Sequence, residues 1–244
     1  KRRTANDAPR WIAPKGEGIT LSEIAEEGQL VHRGLGSSSM NLDFRLAPDT
    51  FVWPETEIDI TVRYNQKTPP GVHAKPIVVE FNDRYIGSLP IPAHDGTGQE
   101  VAHLHLPVDS LRGHNQLKFH IEAAKQPVVD CIKRGDDAEG DEGAVVEIDG
   151  TSMIFLAETE HYRQFPDIQG FVQDGFPFTR MADLSDTTIL LPDTLSPEDI
   201  STSMSVSAHF ARVTGYPGSR ATWLPGSAIN KTTHLDKHLL VIGS

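Results

Sequence analysis

Apolar and polar residues alternate along five stretches of the first two-thirds of the chain. These are Met40–Leu46, Ile58–Tyr64, Ile77–Phe81, His103–Leu106 and Leu117–Ile121. A period of two places one row of side chains in a core and the other in water, which is typical of antiparallel strands. No helical segment is apparent between these strands, so the pattern predicts a β-sandwich or jelly roll over residues 17–150.

Clusters of turn-forming residues separate the predicted strands. They are Ala47–Asp49, Thr68–Gly71, His94–Gly98 and Arg112–Asn115. The dipeptide Asn82-Asp83 lies between two strand-like segments and predicts a tight hairpin. Strand character returns at Val146 and Ile148 and again over residues 152–157.

The hydrophobic period changes after residue 160. Phe165, Ile168, Phe171 and Val172 share one face at helical spacing, and Gly175 and Pro177 are expected to end that helix. A second helix is predicted from an N-cap at Ser196 to Gly215. The following residues form its predicted buried stripe and the positions beside it: Ile200, Met204, Ser207 or Ala208, and Ala211, then Val206, Phe210 and Val213.

Short apolar strands flank the second helix. They are Ile189–Leu191 before it, and Thr222–Leu224 and Leu239–Ile242 after it. A strand–helix–strand order predicts parallel pairing with a right-handed crossover. About three such strands fit, whereas a doubly wound sheet usually has about five. We therefore expect the α/β domain to be incomplete and the native polypeptide to continue beyond Ser244.

The predicted fold class is β + α/β, an antiparallel β-sandwich (jelly roll) followed by a partial parallel α/β domain. The predicted domains are a linker over 1–16, the jelly roll over 17–150 and the α/β domain over 151–244. The formal net charge of −12 argues against nucleic acid and anionic membrane surfaces as partners. The single cysteine, Cys131, excludes a disulfide within the chain. No apolar run approaches the roughly 20 residues that span a bilayer.

Strong catalytic and cofactor motifs are absent from the sequence. It has no P-loop, no Gly-x-Gly-x-x-Gly after a strand, no nucleophile elbow and no His-Glu-x-x-His. A flavin phosphate would need backbone N–H groups at the loop of residues 192–199. That loop has no glycine, contains Pro197 and carries three carboxylates. We therefore expect no cofactor there.

Three weaker patterns have an ordinary structural explanation. His103 and His105 share a strand face and can be a metal pair or solvent-facing residues. The acidic loop 133–143 lacks the EF-hand positions for calcium. Asp43, Asp59 and Glu80 can be glycosidase carboxylates or the polar face of strands. The structural explanation is favoured each time, so no catalytic residue and no metal ligand is predicted.

Exposed aromatic rings are the remaining candidates for binding. Flat rings on a β-sandwich can stack against sugar faces. Trp53 lies between predicted strands, Tyr85 lies beside a turn, and Phe51 is a third candidate. The alternative is that all three side chains pack at the ends of the sandwich.

Several segments, in order, resemble the periplasmic regulatory B subunits of bacterial cellulose synthases. Gly175–Arg180 with Ala182–Thr187 is the most specific motif. The others are Ala8–Trp11, Phe44–Asp49, Ile60–Tyr64, Val79–Asn82, Ser88–Ile91, Asn115–Phe119 and Leu239–Gly243. The resemblance implies the second of two repeats, each a carbohydrate-binding-type jelly roll followed by a flavodoxin-like domain.

The resemblance also implies a function. Such a subunit is non-catalytic, lies in the periplasm and is anchored to the inner membrane by a segment outside this chain. It supports the catalytic subunit of cellulose synthase and is expected to guide the cellulose chain; self-association is a further expectation. The alternatives are a free-standing carbohydrate-binding module and a carbohydrate-active enzyme. The family is often labelled cyclic di-GMP-binding, but the chain lacks an arginine pair followed by Asp-x-Ser-x-x-Gly, so that regulation is attributed to the catalytic partner.

Overall fold

The computed structural model describes residues 11–12, 18–92, 99–125, 143–156, 159–229 and 237–243. The predicted turn at 94–98, Cys131, nearly all of the acidic loop and most of the predicted linker lie outside these residues. Contacts divide the chain into two compact units. The sandwich unit comprises described residues within 14–44 and 53–158, and the α/β unit comprises those within 1–13, 45–52 and 159–244.

The described strands and helices follow one another in this order. They are β1 (Trp11–Ile12), β2 (Gly18–Thr20), α1 (Leu21–Ile24), β3 (Val31–Gly34), β4 (Gly36–Leu46), β5 (Thr50–Phe51), β6 (Ile58–Lys67), β7 (Val72–Ala74), β8 (Ile77–Phe81), β9 (Arg84–Leu89), β10 (Glu100–Leu106), β11 (His114–Lys125), β12 (Ala144–Ile148), β13 (Met153–Phe155), β14 (Glu160–His161), α2 (Ile168–Asp174), β15 (Thr187–Leu191), α3 (Pro197–Thr214), β16 (Thr222–Pro225) and β17 (His238–Val241), with short 3₁₀ turns at Val108–Ser110 and Gly226–Ala228.

The sandwich unit contains two sheets of largely antiparallel strands. One sheet has the order β4-β11-β8-β9, with β7 also paired to β11; the other has the order β2-β13-β6-β12-β3, with β10 paired to β6. Alternation along β4 and β6 buries one row of side chains and leaves the other partly exposed. Leu104 of one sheet lies against Gly87 of the other. The predicted antiparallel β-sandwich is confirmed.

The hairpin predicted at Asn82-Asp83 is also confirmed. These two residues connect β8 to β9 with φ angles of 49° and 63°. Phe81 pairs with Arg84 directly across the turn. Two consecutive left-handed residues match the twist of the flanking strands, and Asn and Asp tolerate that conformation better than most residues.

One helical turn in this unit was not predicted, and it lies before the first of the five predicted strands. Helix α1 follows β2 directly, and Thr20 and Glu23 form a capping box at its start. Leu21 and Ile24 are buried. Four residues are too few to show a helical period, which is why the sequence pattern missed them.

The α/β unit contains a three-stranded parallel sheet with β15 between β16 and β17. The parallel pairing predicted from the strand–helix–strand order is confirmed. Helix α2 begins at Ile168, so Phe165 of the predicted helical face lies before it, because Asp167 caps the helix by accepting a hydrogen bond from the Gly170 N–H. Gly175 ends it with φ 73°, as predicted.

The predicted buried stripe of helix α3 was wrong. Ile200, Met204 and Ala208 are exposed, with 68% of Met204 accessible. Ser207 and Ala211 of that stripe are half-buried. The helix buries Phe210, which was predicted beside the stripe and whose ring centroid lies 5.8 Å from that of Phe178. These aromatic contacts select the side of the helix that faces the core.

The start of helix α3 provides a first test of the structure. Ser196 Oγ accepts from the Asp199 N–H at 3.1 Å, and Asp199 Oδ2 accepts from the Ser196 N–H at 3.0 Å. We expect Ser196→Ala to lower the free energy of unfolding of the α/β unit by about 1 kcal/mol, because the Asp199 N–H loses its acceptor. Urea denaturation followed by helical circular dichroism measures it.

Ser201→Ala is the control for that substitution. Ser201 lies in the same helix and is exposed, so a change within about 0.5 kcal/mol is expected. Equal losses from both substitutions would contradict a specific role for the cap.

Candidate functional site

Trp53 is exposed in the sandwich unit. It lies in the loop between β5 and β6, and 57% of it is accessible to solvent. Its carbonyl accepts a hydrogen bond from the Thr56 N–H at 2.9 Å, which turns the loop back toward β6. An accessible indole in a hydrogen-bonded turn provides a flat apolar surface with one N–H donor.

Tyr85 is the second exposed aromatic of this unit. It lies on the edge strand β9 with 62% of its surface accessible. Tyr85 pairs with Glu80 on β8, and Glu80 pairs with Lys118 on β11. Directly paired residues point to the same face of a sheet. Tyr85 therefore stands in a row with a carboxylate and an ammonium group.

Histidine and lysine side chains orient the carboxylates around that row. His120 Nε2 lies 2.8 Å from Glu80 Oε2, and Lys118 Nζ lies 3.5 Å from Asp83 Oδ1. His120, Glu80 and Lys118 are on neighbouring strands of one sheet, which positions them more firmly than a loop would, and Asp83 is in the hairpin turn beside them. The row offers hydrogen-bond donors and acceptors beside an aromatic ring.

Phe51 belongs to the α/β unit, so the three predicted aromatics do not form one cluster within a single unit. Phe51 lies on β5 and is partly buried. Its ring packs edge-on against Tyr162, with centroids 6.0 Å apart and planes at 74°. The short antiparallel pair β5–β14 brings these residues together. We call this pair of strands the ribbon.

A buried ionic cluster lies at one end of the ribbon, and the sequence patterns did not predict it. The side chain of Asp49 is only 8% accessible. His161 Nδ1 lies 3.0 Å from its Oδ1, and Arg180 Nε lies 3.2 Å from its Oδ2. The family-like motifs Phe44–Asp49 and Gly175–Arg180 each end on a residue of this cluster. That coincidence is the feature of the sequence that could have indicated the cluster.

Arg163 attaches the same segment to helix α2. Its guanidinium donates to the Pro48 carbonyl at 2.7 Å and lies 3.3 Å from Asp174 Oδ2. It also pairs with Asp167 and lies over the Phe176 ring, 4.9 Å from the centroid. Because the guanidinium contacts a carbonyl oxygen, two carboxylates and an aromatic ring at once, Arg163 fixes the position of the segment that contains Pro48.

The histidines and carboxylates considered for metal binding or hydrolysis form pairs across strands. His105 pairs with Asp59 at 3.4 Å, and His114 pairs with Asp43 at 3.1 Å. His103 Nδ1 lies 3.1 Å from the Thr61 hydroxyl. Within the part of the chain that the structure describes, no three His, Cys, Asp or Glu side chains are grouped so as to hold a metal ion.

Two amide groups and one carboxylate in the loop before α3 are engaged within the α/β unit. The capping box engages the N–H groups of Ser196 and Asp199. Asp193 accepts hydrogen bonds from the Ser227 N–H and hydroxyl, at 3.0 and 2.7 Å. The hydrogen bond from the Ser227 amide holds the pKa of Asp193 below its usual value. A carboxylate at this position repels a phosphate, so these residues do not fit the phosphate of a flavin.

No helix among the described residues combines the length and hydrophobicity that crossing a membrane requires.

Two family models match the chain in succession. The first is described as "Cellulose synthase BcsB, second CBM domain" and matches residues 18–142. The second is described as "Cellulose synthase BcsB, second FD domain" and matches residues 161–244. The two matches fall in the same order as the predicted jelly roll and α/β domain.

Curated relatives match almost the whole chain. A "Cyclic di-GMP-binding protein" of Xanthomonas axonopodis pv. citri is 29% identical over 99% of this chain and 32% of its own length. One of the same name from Pseudomonas fluorescens is 27% identical over 99% of this chain and 33% of its own. "Cellulose synthase 2" of Novacetimonas hansenii is 28% identical over 87% of this chain and 14% of its own. The chain spans about one third of the relatives named as cyclic di-GMP-binding proteins.

Similarity to solved structures is weak. A family 35 carbohydrate binding module from an environmental isolate gives a TM-score of 0.29 at 15% identity, covering 51% of this chain and 74% of its own. A CBM36 carbohydrate-binding module in complex with calcium and xylotriose gives 0.29 at 9% identity, covering 57% and 97%. Scores this low carry no argument about this chain.

Proposed function

This chain belongs to the cellulose synthase BcsB family, and we propose that it serves as a non-catalytic accessory segment of a cellulose-synthesising complex. The observation that carries the proposal is the succession of two BcsB family matches along one chain. The proposed work of the segment is to support the catalytic subunit and to contact the β-1,4-glucan as it emerges. Trp53 and Tyr85 are the proposed contacts in the sandwich unit, and Phe51 is the proposed contact in the α/β unit.

The proposed domain division follows the family matches. We propose a linker over 1–16, a carbohydrate-binding-type jelly roll over 17–150 and a flavodoxin-like α/β domain over 151–244. The compact units differ from these bounds in two places, because β13 adds a strand to the sandwich and residues 45–52 belong to the α/β unit. The parallel strands β15, β16 and β17 support the second assignment. In this proposal the flavodoxin-like shape has a structural role, because the loop of residues 192–199 is occupied by carboxylates and a capping box.

The proposed partner is the catalytic subunit of cellulose synthase. A relative named cellulose synthase contains a region similar to this chain that makes up 14% of its length. In that relative, such a region is joined covalently to the rest of the protein. This supports physical association of the segment with the catalytic subunit in complexes where they are separate chains. We further propose self-association, a periplasmic location and anchoring to the inner membrane by a segment outside this chain. Nucleic acid is not a proposed partner.

The relatives from Xanthomonas axonopodis pv. citri and Pseudomonas fluorescens are named for cyclic di-GMP. We propose that recognition of this dinucleotide belongs to the catalytic partner. A dianionic ligand requires a cluster of cationic or N–H donors. In the described residues, Arg163 and Arg180 are engaged with Asp167, Asp174 and Asp49.

Titration with cello-oligosaccharides tests the glucan contact. We expect the 244-residue chain to show saturable chemical-shift changes and tryptophan fluorescence changes at millimolar cellohexaose, corresponding to about −4 kcal/mol. Trp53→Ala or Tyr85→Ala should weaken those changes, because stacking on an exposed ring supplies much of the contact. The absence of any change at millimolar sugar would refute a glucan contact and leave a supporting role only.

Co-purification separates the accessory role from the alternative of a free-standing carbohydrate-binding module. An accessory segment should be retained by the detergent-solubilised catalytic subunit whether or not sugar is present. A free-standing module should bind cellohexaose but not the subunit. An enzyme would release shorter sugars from cellohexaose, and that release would overturn the non-catalytic proposal.

A further inference from the structure

We propose that the outer face of strands β11, β8 and β9 is a binding face for a β-linked glucan, with Tyr85 as its stacking platform and Glu80 as its main hydrogen-bond acceptor. We call this surface the tyrosine face; it consists of Tyr85, Glu80, Lys118, His120 and Gln116. The inference rests on the proposed function and goes beyond it by assigning the residues that would recognise the sugar hydroxyls.

The strand register places the functional groups of the tyrosine face in a line. Tyr85, Glu80 and Lys118 are direct partners across three adjacent strands. Neighbouring strands lie about 4.8 Å apart, so this row extends about 10 Å across the sheet. A linear sugar chain lying along the row would meet an aromatic ring, a carboxylate and an ammonium group in succession.

A β-bulge aims Tyr85 outward. The pairing of β8 with β9 shifts between Val79 and Glu80, so that Gly87 opposes Val79 while Tyr85 opposes Glu80. Gly87 approaches the core so closely that a Cβ there would lie 2.6 Å from Leu104 Cδ2. Bulges commonly redirect a side chain at the edge of a sheet. Here the bulge lets β9 contact the core at Gly87 and present an aromatic ring outward at Tyr85.

The carboxylate of Glu80 is held in place but remains reachable. His120 Nε2 lies 2.8 Å from its Oε2, and the Glu80 side chain is 29% accessible. A carboxylate offers about four lone-pair sites, so one histidine leaves capacity to accept from sugar hydroxyls. Lys118 supplies donors one strand away and is paired with the exposed Asp83 at 3.5 Å. Sugar hydroxyls donate and accept, and the face provides both functions.

The charges of the tyrosine face favour a neutral ligand. Glu80 is opposed by Lys118 in the register. Near the start of β11, Gln116 Nε2 donates to Asp43 Oδ1 at 3.1 Å. Because positively and negatively charged side chains are interspersed on this face, it lacks the concentrated positive potential that would attract a polyanion. An aromatic ring flanked by paired polar groups therefore suits a neutral, hydroxyl-rich chain better than a nucleic acid or a charged peptide.

The second sheet of the sandwich unit provides a matched control. On its outer face, Phe155 pairs with Asp59, which pairs with His105. Phe155 is 44% accessible, and the His105–Asp59 pair is longer, at 3.4 Å. This row has an aromatic ring, a carboxylate and a histidine, but its aromatic residue has no hydroxyl group. It also has a histidine where the row of the tyrosine face has Lys118.

Isothermal titration of cellohexaose into variants of the full chain tests the inference. We expect Tyr85→Ala to weaken binding about tenfold, equivalent to about 1.4 kcal/mol, and Glu80→Gln to weaken it several-fold. Tyr85→Phe should keep most of the affinity. The controls Phe155→Ala and Asp59→Asn should bind as the unmodified chain does. Thermal unfolding of each variant checks that these exposed substitutions leave the fold intact.

The other outcomes have defined meanings. Binding that survives Tyr85→Ala and Glu80→Gln would overturn the tyrosine face and leave the glucan contact to Trp53 or Phe51. Equal losses in the Phe155 and Tyr85 variants would also overturn it. No binding of cellohexaose by the unmodified chain would overturn both the tyrosine face and the glucan contact. Loss of co-purification with the catalytic subunit is a separate result that would refute the accessory role alone.

Discussion

Phe81→Ala is expected to lower the free energy of unfolding of the sandwich unit by about 3–5 kcal/mol. Phe81 is fully buried on β8, and its ring stacks on Phe44 with centroids 6.1 Å apart and planes at 22°. Truncation removes the transfer free energy of the ring and leaves a cavity against Phe44. Strand β8 lies between β9 and β11, so neighbouring strands on both sides limit how far the cavity can collapse.

The measurement must report on the sandwich unit alone, because a chain with two compact units need not unfold in one transition. Urea denaturation followed by NMR amide signals of β8 and β11 meets this requirement. Phe155→Ala is the control, since the same residue type is substantially accessible on β13. Its expected effect is within about 0.5 kcal/mol. A loss below about 1 kcal/mol for Phe81→Ala would show that the buried rings do not stabilise this unit.

The sandwich could be predicted from the sequence because its strands carry the signal locally. Each residue of β4 or β6 points to the face opposite its neighbour, so burial on one side appears directly as alternation. Met40, Leu42 and Phe44 are all buried as the alternation indicates. The hairpin at Asn82-Asp83 was also predictable from local sequence, because the conformation of a two-residue turn is set by the two residues that form it.

The orientation of helix α3 could not be predicted because two apolar stripes are available on it. One contains Ile200 and Met204, and the other contains Phe210. Phe171 and Phe178, whose centroids lie 6.4 and 5.8 Å from that of Phe210, decide between them. These partners are more than 30 positions away in the sequence, so a local period cannot include their effect.

The candidate sites were predictable only in part. Exposed aromatic side chains at Trp53 and Tyr85 are consistent with their places beside turns. The row of Tyr85 with Glu80 and Lys118 depends on strand register and on a bulge, and neither is visible in hydrophobic alternation. The pairing of Phe51 with Tyr162 joins segments about 110 residues apart, which only the fold brings together.

Arg180→Met is expected to lower the free energy of unfolding of the α/β unit by about 3–5 kcal/mol, because it leaves the carboxylate of Asp49 buried without its main compensating charge. The Asp49 side chain is 8% accessible, and Arg180 Nε lies 3.2 Å from it. His161 is the other partner, at 3.0 Å, and is itself half accessible. Methionine retains most of the volume of the arginine stem, so the change chiefly removes the charge and its donors. Urea denaturation followed by NMR amide signals of β15 measures the loss.

Two further variants isolate the cause. Arg84→Met removes an arginine from an ion pair with Asp109 in which both side chains are more than half accessible, so its expected cost is below about 1 kcal/mol. Asp49→Asn placed in the Arg180→Met background removes the uncompensated charge and should recover part of the loss. If Arg180→Met cost no more than Arg84→Met, the buried pair would not hold the ribbon together.

The consequence for function follows from the position of Asp49 next to the ribbon. Tyr162 donates its backbone N–H to the Asp49 carbonyl at 2.9 Å, and Thr50 pairs with His161. Disorder of this cluster should therefore separate Phe51 from Tyr162, which the NMR signals of the two rings would report. The tyrosine face lies in the other unit and should bind cellohexaose unchanged. A parallel loss of sugar binding in Arg180→Met would instead assign the glucan contact to Phe51 and Tyr162.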